Sequence, residues 1–225
     1  MKTIVIGDVH GLSTWKRILD KEVSYDKLIF LGDYVDSFNV KPKEQLSNLN
    51  RILSLYDNKT IRCIGNHELN YVFRSMRCSG YNPITDLLCS GLIQEAIKNN
   101  RIVPFHIDGN MLFSHAGVTN YWLNNVYGVE DIKDIDIRNF NYKTLEWNSI
   151  AGYSGYGDTI SNGLTWVRPR SLLSDKIEGY IQIVGHTGTK SIIYENDVYF
   201  CDTIEHARPE QYLVITDSEI EVKVL

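Results

Sequence analysis

The chain has 225 residues, about one and a half times the usual ~150 per domain, so one large domain or one domain with an insertion is expected. Hydrophobic residues make up 43% and charged residues 23%, which excludes wholesale disorder, a collagen or coiled-coil architecture and a membrane channel. Acidic residues outnumber basic ones 28 to 23, and a net charge of −5 argues against a duplex nucleic-acid binder working through phosphate contacts.

Thr3 to Ile6 is a short apolar, β-branched run ending in Gly-Asp and reads as a buried strand. Leu12 to Lys21 carries Leu12, Trp15, Ile18 and Leu19 at helical spacing, with Ser13 or Thr14 as the cap. Lys27 to Leu31 is a second strand, Pro42 to Tyr56 a helix with Pro42 in its first turn, and Thr60 to Ile64 a third strand. This β-α-β-α-β opening predicts a parallel sheet with right-handed crossovers. Glu68 to Arg77 and Thr85 to Asn99 look helical. Arg101 to Ile107 and Asn110 to Ser114 look like strands joined by a turn at Asp108-Gly109. From about 120 to 178 the pattern degrades into a segment rich in Asn, Tyr, Gly and Asp, which reads as a loop-rich insertion within a single domain of 1–225. Five strands follow: Tyr180 to Val184, Ser191 to Tyr194, Val198 to Cys201, Gln211 to Thr216 and Ile220 to Val224. These predict a mostly antiparallel C-terminal half.

The four cysteines, Cys63, Cys78, Cys89 and Cys201, show no CxxC and read as reduced, structural residues. The N-terminus is neither a signal nor a transit peptide, and no run approaches the ~18 apolar residues of a membrane span. The expectation is a cytoplasmic protein with no membrane partner.

One pattern recurs five times. An apolar strand stops, and a small residue plus a metal-type ligand follows: Gly7-Asp8-Val9-His10, Gly32-Asp33, Gly65-Asn66-His67, Ser114-His115 and Gly185-His186. Open α/β sheets bind ligands beyond the carboxyl ends of their strands, so one shared sheet would bring these side chains to one edge. Any one Gly-Asp or lone His reads as a turn or a core histidine; together they read as a metal site. Asp8, His10, Asp33, Asn66, His115 and His186 are more ligands than one ion needs, and a bridging carboxylate would serve two. The mixed nitrogen and oxygen set lacks thiolate, which disfavours structural zinc and suits manganese, iron, cobalt, nickel or catalytic zinc. His106 falls inside a strand and reads as structural. His206 lies in a polar loop and reads either as surface or as the border of the pocket.

GDVHG, GDYVD, GNHE, SHAG and GHTG, in this order from Gly7 to Gly188, resemble the signature of calcineurin-like metallophosphoesterases. The branch they most resemble is the PPP-type serine/threonine protein phosphatases of bacteria and phages, with the related symmetrical diadenosine tetraphosphate hydrolases. The resemblance implies a four-layer α/β/β/α sandwich with two mixed sheets. It implies that Asp8 and His10 hold a first metal, that Asp33 bridges, and that Asn66, His115 and His186 hold a second. It makes His67, paired with Asp36, the general acid. Such chemistry needs a nucleophile at neutral pH, which a hydroxide between two cations supplies, and a protonated leaving group. Arg168, in Trp166-Val167-Arg168, resembles the segment whose Arg contacts phosphate in bacterial members, and Asn66 would share that contact.

The chain departs from the PPP pattern after the second Asp. Val35-Asp36-Ser37-Phe38 stands where Val-Asp-Arg-Gly is usual, so one phosphate-gripping Arg is missing, with Arg170 or Arg74 as candidates to replace it. One fork fewer weakens a dianionic monoester more than a monoanionic diester. The leading expectation is a phosphomonoesterase acting on phosphorylated protein or on a small phosphate ester. The alternatives are a phosphodiesterase or dinucleoside polyphosphate hydrolase on the same site, a single-strand nuclease, and a non-catalytic scaffold of the same fold. The acidic balance counts against the nuclease, and the full ligand set against the scaffold. Tyr153, Tyr156 and Trp166 either line a substrate groove or pack the insertion.

Overall fold

The computed structural model describes residues 1–56, 58–74, 77–146, 158–204, 210–217 and 219–225. Among these residues, ten strands form two sheets of five. The first contains β1 (Thr3–Ile6), β2 (Lys27–Phe30), β3 (Thr60–Arg62), β9 (Gln211–Ile215) and β10 (Ile220–Val224), in the order β10-β9-β1-β2-β3. As expected, β1, β2 and β3 run parallel, while β9 pairs antiparallel with both β1 and β10. The second contains β4 (Phe105–Asp108), β5 (Met111–Ser114), β6 (Ile181–Val184), β7 (Ile193–Glu195) and β8 (Val198–Phe200), in the order β4-β5-β6-β8-β7.

The mostly antiparallel expectation needs correction where it matters. β5, β6 and β8 pair parallel, and only the edge strands β4 and β7 are antiparallel. The chain between β5 and β6 is long enough for a crossover, and short turns could not have produced this arrangement. Nor do the five strand ends share one sheet: three come from the first and two from the second.

Alternation along each strand divides the core. Val5, Ile29, Leu31, Leu213 and Ile215 of the first sheet face Phe113, Ile183 and Tyr199 of the second. Ile4, Ile6, Leu28, Phe30, Tyr212 and Val214 point the other way, into one cluster with Trp15 and Ile18 of α1 (Thr14–Glu22), Leu49 and Ile52 of α2 (Pro42–Leu53) and Ile93 of α4 (Pro83–Lys98). Beyond the second sheet, Val184, Val198 and Phe200 pack with Leu172 of α5 (Pro169–Asp175). The result is the α/β/β/α sandwich. Strands buried on both faces show no polar alternation, which is why they read as continuous apolar runs.

Helix and strand boundaries follow local chemistry. α3 spans Asn66–Phe73, starting earlier and ending earlier than its apolar pattern suggests. Gly65 caps it, Glu68 reaches back to the Gly65 N–H, and Arg74 stops it in the left-handed region at φ 54°. α4 starts at Pro83 because the Asn82 side chain accepts the Ile84 N–H. Pro104 has no N–H, so the strand expected from Arg101 begins only at Phe105; upstream, Val103 makes an isolated bridge with Cys63. The β4–β5 turn is Gly109-Asn110, one residue later than expected, with Gly109 at φ 60°. Between β5 and β6 the described residues form a π-helical turn (Trp122–Tyr127), three 3-10 turns and α5. No helix among the described residues is long and apolar enough to cross a membrane.

Candidate active site

The ends of β1, β2, β3, β5 and β6 meet. Gly185 donates its N–H to the His115 carbonyl at 2.7 Å, and the His186 N–H reaches both Asp8 oxygens at 3.0 and 3.1 Å. The His67 N–H reaches Asp33 Oδ1 at 3.1 Å. Glycine is required where the strand ends approach this closely: a Cβ on Gly185 would strike the Asp8 carboxylate, and one on Gly65 would strike Asp33. His10, Asp33, Asp36 and His186 all have positive φ, between 42° and 67°. Sparsely populated backbone of this kind persists only where its surroundings enforce it, and it clusters at functional sites.

The histidines fall into two kinds, separated by what holds the outer ring nitrogen. His10 Nδ1 lies 3.0 Å from the Val35 carbonyl, His115 Nδ1 2.8 Å from the Leu31 carbonyl, and His186 Nε2 3.2 Å from the Trp166 carbonyl. A carbonyl only accepts, so each of these nitrogens carries the proton, and in the neutral ring the other nitrogen presents a lone pair. Those lone pairs point at acceptors. His115 Nε2 is 2.9 Å from Asn66 Oδ1 and 3.3 Å from Asp33 Oδ2, His186 Nδ1 is 3.0 Å from Asn66 Oδ1, and His10 Nε2 is 3.7 Å from Asp33 Oδ2. Acceptor atoms crowded together in this way call for protons or cations among them, and ring nitrogens anchored on carbonyls are the usual support of metal-ligating imidazoles. His67 is different. Its Nδ1 is 3.1 Å from the carboxylate of Asp36, and its Nε2 is 3.7 Å from Asp33 Oδ2.

Among the described residues, two groups of potential ligand atoms are each gathered within 4.8 Å: Asp8 with Asp33 and His115, and His10 with Asp33 and His67. Asp33 belongs to both. The expected first pair, Asp8 with His10, is split between them.

Charge accounts for the titration behaviour. Burial, Asp202 and Asp33 lift Asp8 well above the usual carboxylate range, against His115. Burial opposes ionisation of Asp33 too, but His115, His67 and His10 outweigh it and hold Asp33 well below that range. Burial pulls His67 and His115 down, yet neighbouring carboxylates (Asp33 and Asp36 for His67, Asp33 and Asp8 for His115) lift each to about 9. Burial and Arg168 hold His186 well below the ordinary histidine value. The buried carboxylates of Asp8 and Asp33 and the inward nitrogens of His10, His115 and His186, which coordinate once deprotonated, make a donor set suited to divalent ions of intermediate softness.

Arg168 caps α5 and donates Nη1 to the His186 carbonyl at 3.0 Å and to Thr187 Oγ1 at 3.1 Å. The Trp166 ring stands edge-on to His186, with centroids 5.8 Å apart. Ser37 is buried, and its Oγ accepts the N–H groups of Asn39 and Val40, both at 3.2 Å. Arg74 is held by both oxygens of Asp86, and Arg170 is exposed on α5. His106 lies away from the site, against Lys27 and Phe113. His206, Tyr153 and Tyr156 lie outside the described residues. The four cysteine thiols are free, and Cys78 touches Asn66.

Four contributors were not legible as such. Asp202 follows β8 as the other acids follow their strands, but no glycine marks it. Glu68 and Tyr71 lie on α3, and Gln45 on α2. Glu68 Oε2 accepts the N–H groups of Asp33 and Gly65 at 2.9 and 3.0 Å, and Oε1 accepts that of Tyr34 at 2.8 Å, fixing the turn that presents Asp33. Gln45 Oε1 accepts the Asp36 N–H at 2.9 Å.

A family model for calcineurin-like phosphoesterases matches residues 1–197. No curated protein matches the chain. Among solved structures, a cold-active protein-tyrosine phosphatase from a psychrophilic Shewanella species superposes with TM-score 0.64 at 14% identity, over 99% of this chain and 77% of that one. A protein serine/threonine phosphatase from Saccharomyces cerevisiae gives 0.58 at 16%, over 100% and 80%. A metallophosphoesterase from Sphaerobacter thermophilus gives 0.55 at 14%, over 100% and 88%. At these identities the likeness to the solved structures is one of fold.

Proposed function

The chain belongs to the calcineurin-like phosphoesterase family and is a metal-dependent phosphoester hydrolase; from that premise we propose a two-metal phosphomonoesterase of the serine/threonine phosphatase kind, acting on a phosphorylated protein or a small phosphate ester. The observation that carries this reading is the division of the histidines. His10, His115 and His186 rest on backbone carbonyls and turn a nitrogen inward, whereas His67 rests on a carboxylate.

Asp8, His10 and Asp33 would hold one ion, and Asp33, Asn66, His115 and His186 the other, with manganese the first candidate. Bound ions supply a nucleophile at neutral pH and neutralise the phosphoryl charge. Arg168 grips a phosphate oxygen from the side of His186, and the Asn66 amide assists. His67 gives its Nε2 proton to the leaving oxygen, while Asp36 holds its Nδ1–H and keeps the ring in line. In this reading 1–225 is one domain, and the insertion at about 120–178 brings Trp166 and Arg168 to the site.

Ser37 favours a second reading, a phosphodiesterase or dinucleoside polyphosphate hydrolase. Its hydroxyl is committed to its own turn, so the position lacks the cation that a dianionic monoester rewards. Hydrolysis of p-nitrophenyl phosphate against bis(p-nitrophenyl) phosphate, in Mn²⁺ and with a chelator control, separates the two. Monoester preference is expected. Diester preference overturns the first reading in favour of the second.

A further inference from the structure

We propose that Tyr71 is a positioning residue for proton delivery: its hydroxyl pins Asp36 so that Asp36 holds His67 in the orientation that serves the leaving group. This rests on the reading of His67 as the acid.

α3 delivers both groups. Tyr71 lies four residues after His67, so the two side chains share one face of the helix. That face meets a single carboxylate. The Tyr71 hydroxyl donates to Asp36 Oδ1, and His67 Nδ1 meets Asp36 Oδ2 at 3.1 Å. Asp36 and Tyr71 are each 1% exposed, so bulk water does not serve those oxygens. The backbone of Asp36 sits at φ 66°, and its N–H is held by Gln45. Its carboxylate still has one rotatable bond, and a buried carboxylate with a single partner can turn about that bond. The Tyr71 hydroxyl removes that freedom by taking Oδ1, leaving Oδ2 to His67 Nδ1. The ring is thereby aimed, with Nε2 toward the Asp33 side of the site at 3.7 Å.

Tyr71 is itself held. Gln94 Nε2 of α4 donates to its carbonyl at 2.7 Å, and its ring stacks on Tyr81 with centroids 6.4 Å apart. None of this depends on the sequence motif. His67 and Asp36 are each marked by their strand ends, whereas Tyr71 sits mid-helix among ordinary core positions.

The test is Tyr71→Phe in the full chain loaded with Mn²⁺. Phenylalanine keeps the ring and its stacking and removes only the hydroxyl. Leaving-group dependence is the readout, because a poor leaving oxygen needs the proton and p-nitrophenolate barely does. The ratio of kcat on p-nitrophenyl phosphate to kcat on phenyl phosphate is expected to rise about tenfold, a fraction of what a general acid contributes. KM and bound metal per chain should stay at wild-type values. An unchanged ratio overturns the proposal, whether both rates fall together or neither falls. His67→Asn run alongside locates the failure. If His67→Asn raises the ratio and Tyr71→Phe does not, Tyr71 has no positioning role. If His67→Asn leaves the ratio unchanged, His67 is not the acid and both ideas fall. In the double variant the two effects should not add, since Tyr71 acts through His67.

Discussion

Replacing Glu68 by Gln tests whether the Asp33 turn is held by a buried charge. Glu68 is fully buried, and its two oxygens accept three backbone N–H groups, from Asp33, Gly65 and Tyr34. Glutamine is nearly isosteric but has one acceptor oxygen. If that oxygen serves the Asp33 and Gly65 pair, the new NH2 faces the Tyr34 N–H, and one charge-assisted bond becomes a donor–donor contact. A hydrogen bond to a charged group contributes about 1.5–3 kcal/mol, and the two that survive lose their charge assistance, so the gross loss is about 3 kcal/mol. Burial and Asp33 push the Glu68 carboxyl up to about 7, so losing the charge also relieves part of its burial cost and of its repulsion by Asp33, which offsets some of that loss. The net expectation is about 2 kcal/mol of destabilisation, roughly 5 °C in Tm for a chain of this size. Because the turn presents Asp33 at φ 51°, Mn²⁺ affinity should also fall by about tenfold, the usual effect of removing a support behind a ligand. Urea unfolding in chelator measures the first quantity, and calorimetric Mn²⁺ titration the second. A variant with wild-type midpoint and wild-type affinity would refute the reasoning.

Three further outcomes follow from other parts of the fold. Gly163→Ala places a methyl against the Trp122 indole, whose Nε1 donates to the Thr144 carbonyl, and overpacking there should cost about 1–3 kcal/mol, read as a lowered melting temperature. Burial and Lys27, opposed by Asp108, depress His106 to about 4, so between the unfolded value near 6.5 and about 4 the unfolded chain binds a proton that the native chain does not. Stability is therefore untouched above about 6.5 and falls as pH drops through that window, by no more than about 3 kcal/mol; His106→Gln should flatten that part of the stability–pH curve, and an identical slope in the variant would contradict it. Ser37→Arg removes the acceptor for the Asn39 and Val40 N–H groups and should destabilise the chain by about 1 kcal/mol in urea unfolding. The same variant should lower KM for a monoester; an unchanged or raised KM would show that another cation already serves that place.

Local sequence is enough to say which residues are available for chemistry and that strand ends carry them. Apolar runs that stop at Gly-Asp, Gly-Asn or Gly-His mark their own turns, and this is local information. β1 and β10 match the sequence reading residue for residue, and β2, β3, β8, β9 and α2 share their expected starts. Glycine at 65 and 185 is readable as a turn, but its second reason, the carboxylate lying against it, belongs to a distant part of the chain. Tertiary structure alone decided the rest. Strand pairing is non-local, so apolar runs could not say that five strand ends come from two sheets, or that β5, β6 and β8 run parallel. Which nitrogen of each histidine faces inward depends on carbonyls at Val35, Leu31 and Trp166, supplied by other strand ends and loops. The parts played by Glu68 and Tyr71 stayed hidden because a helix pattern reports which face is buried, not which distant turn that face holds in place.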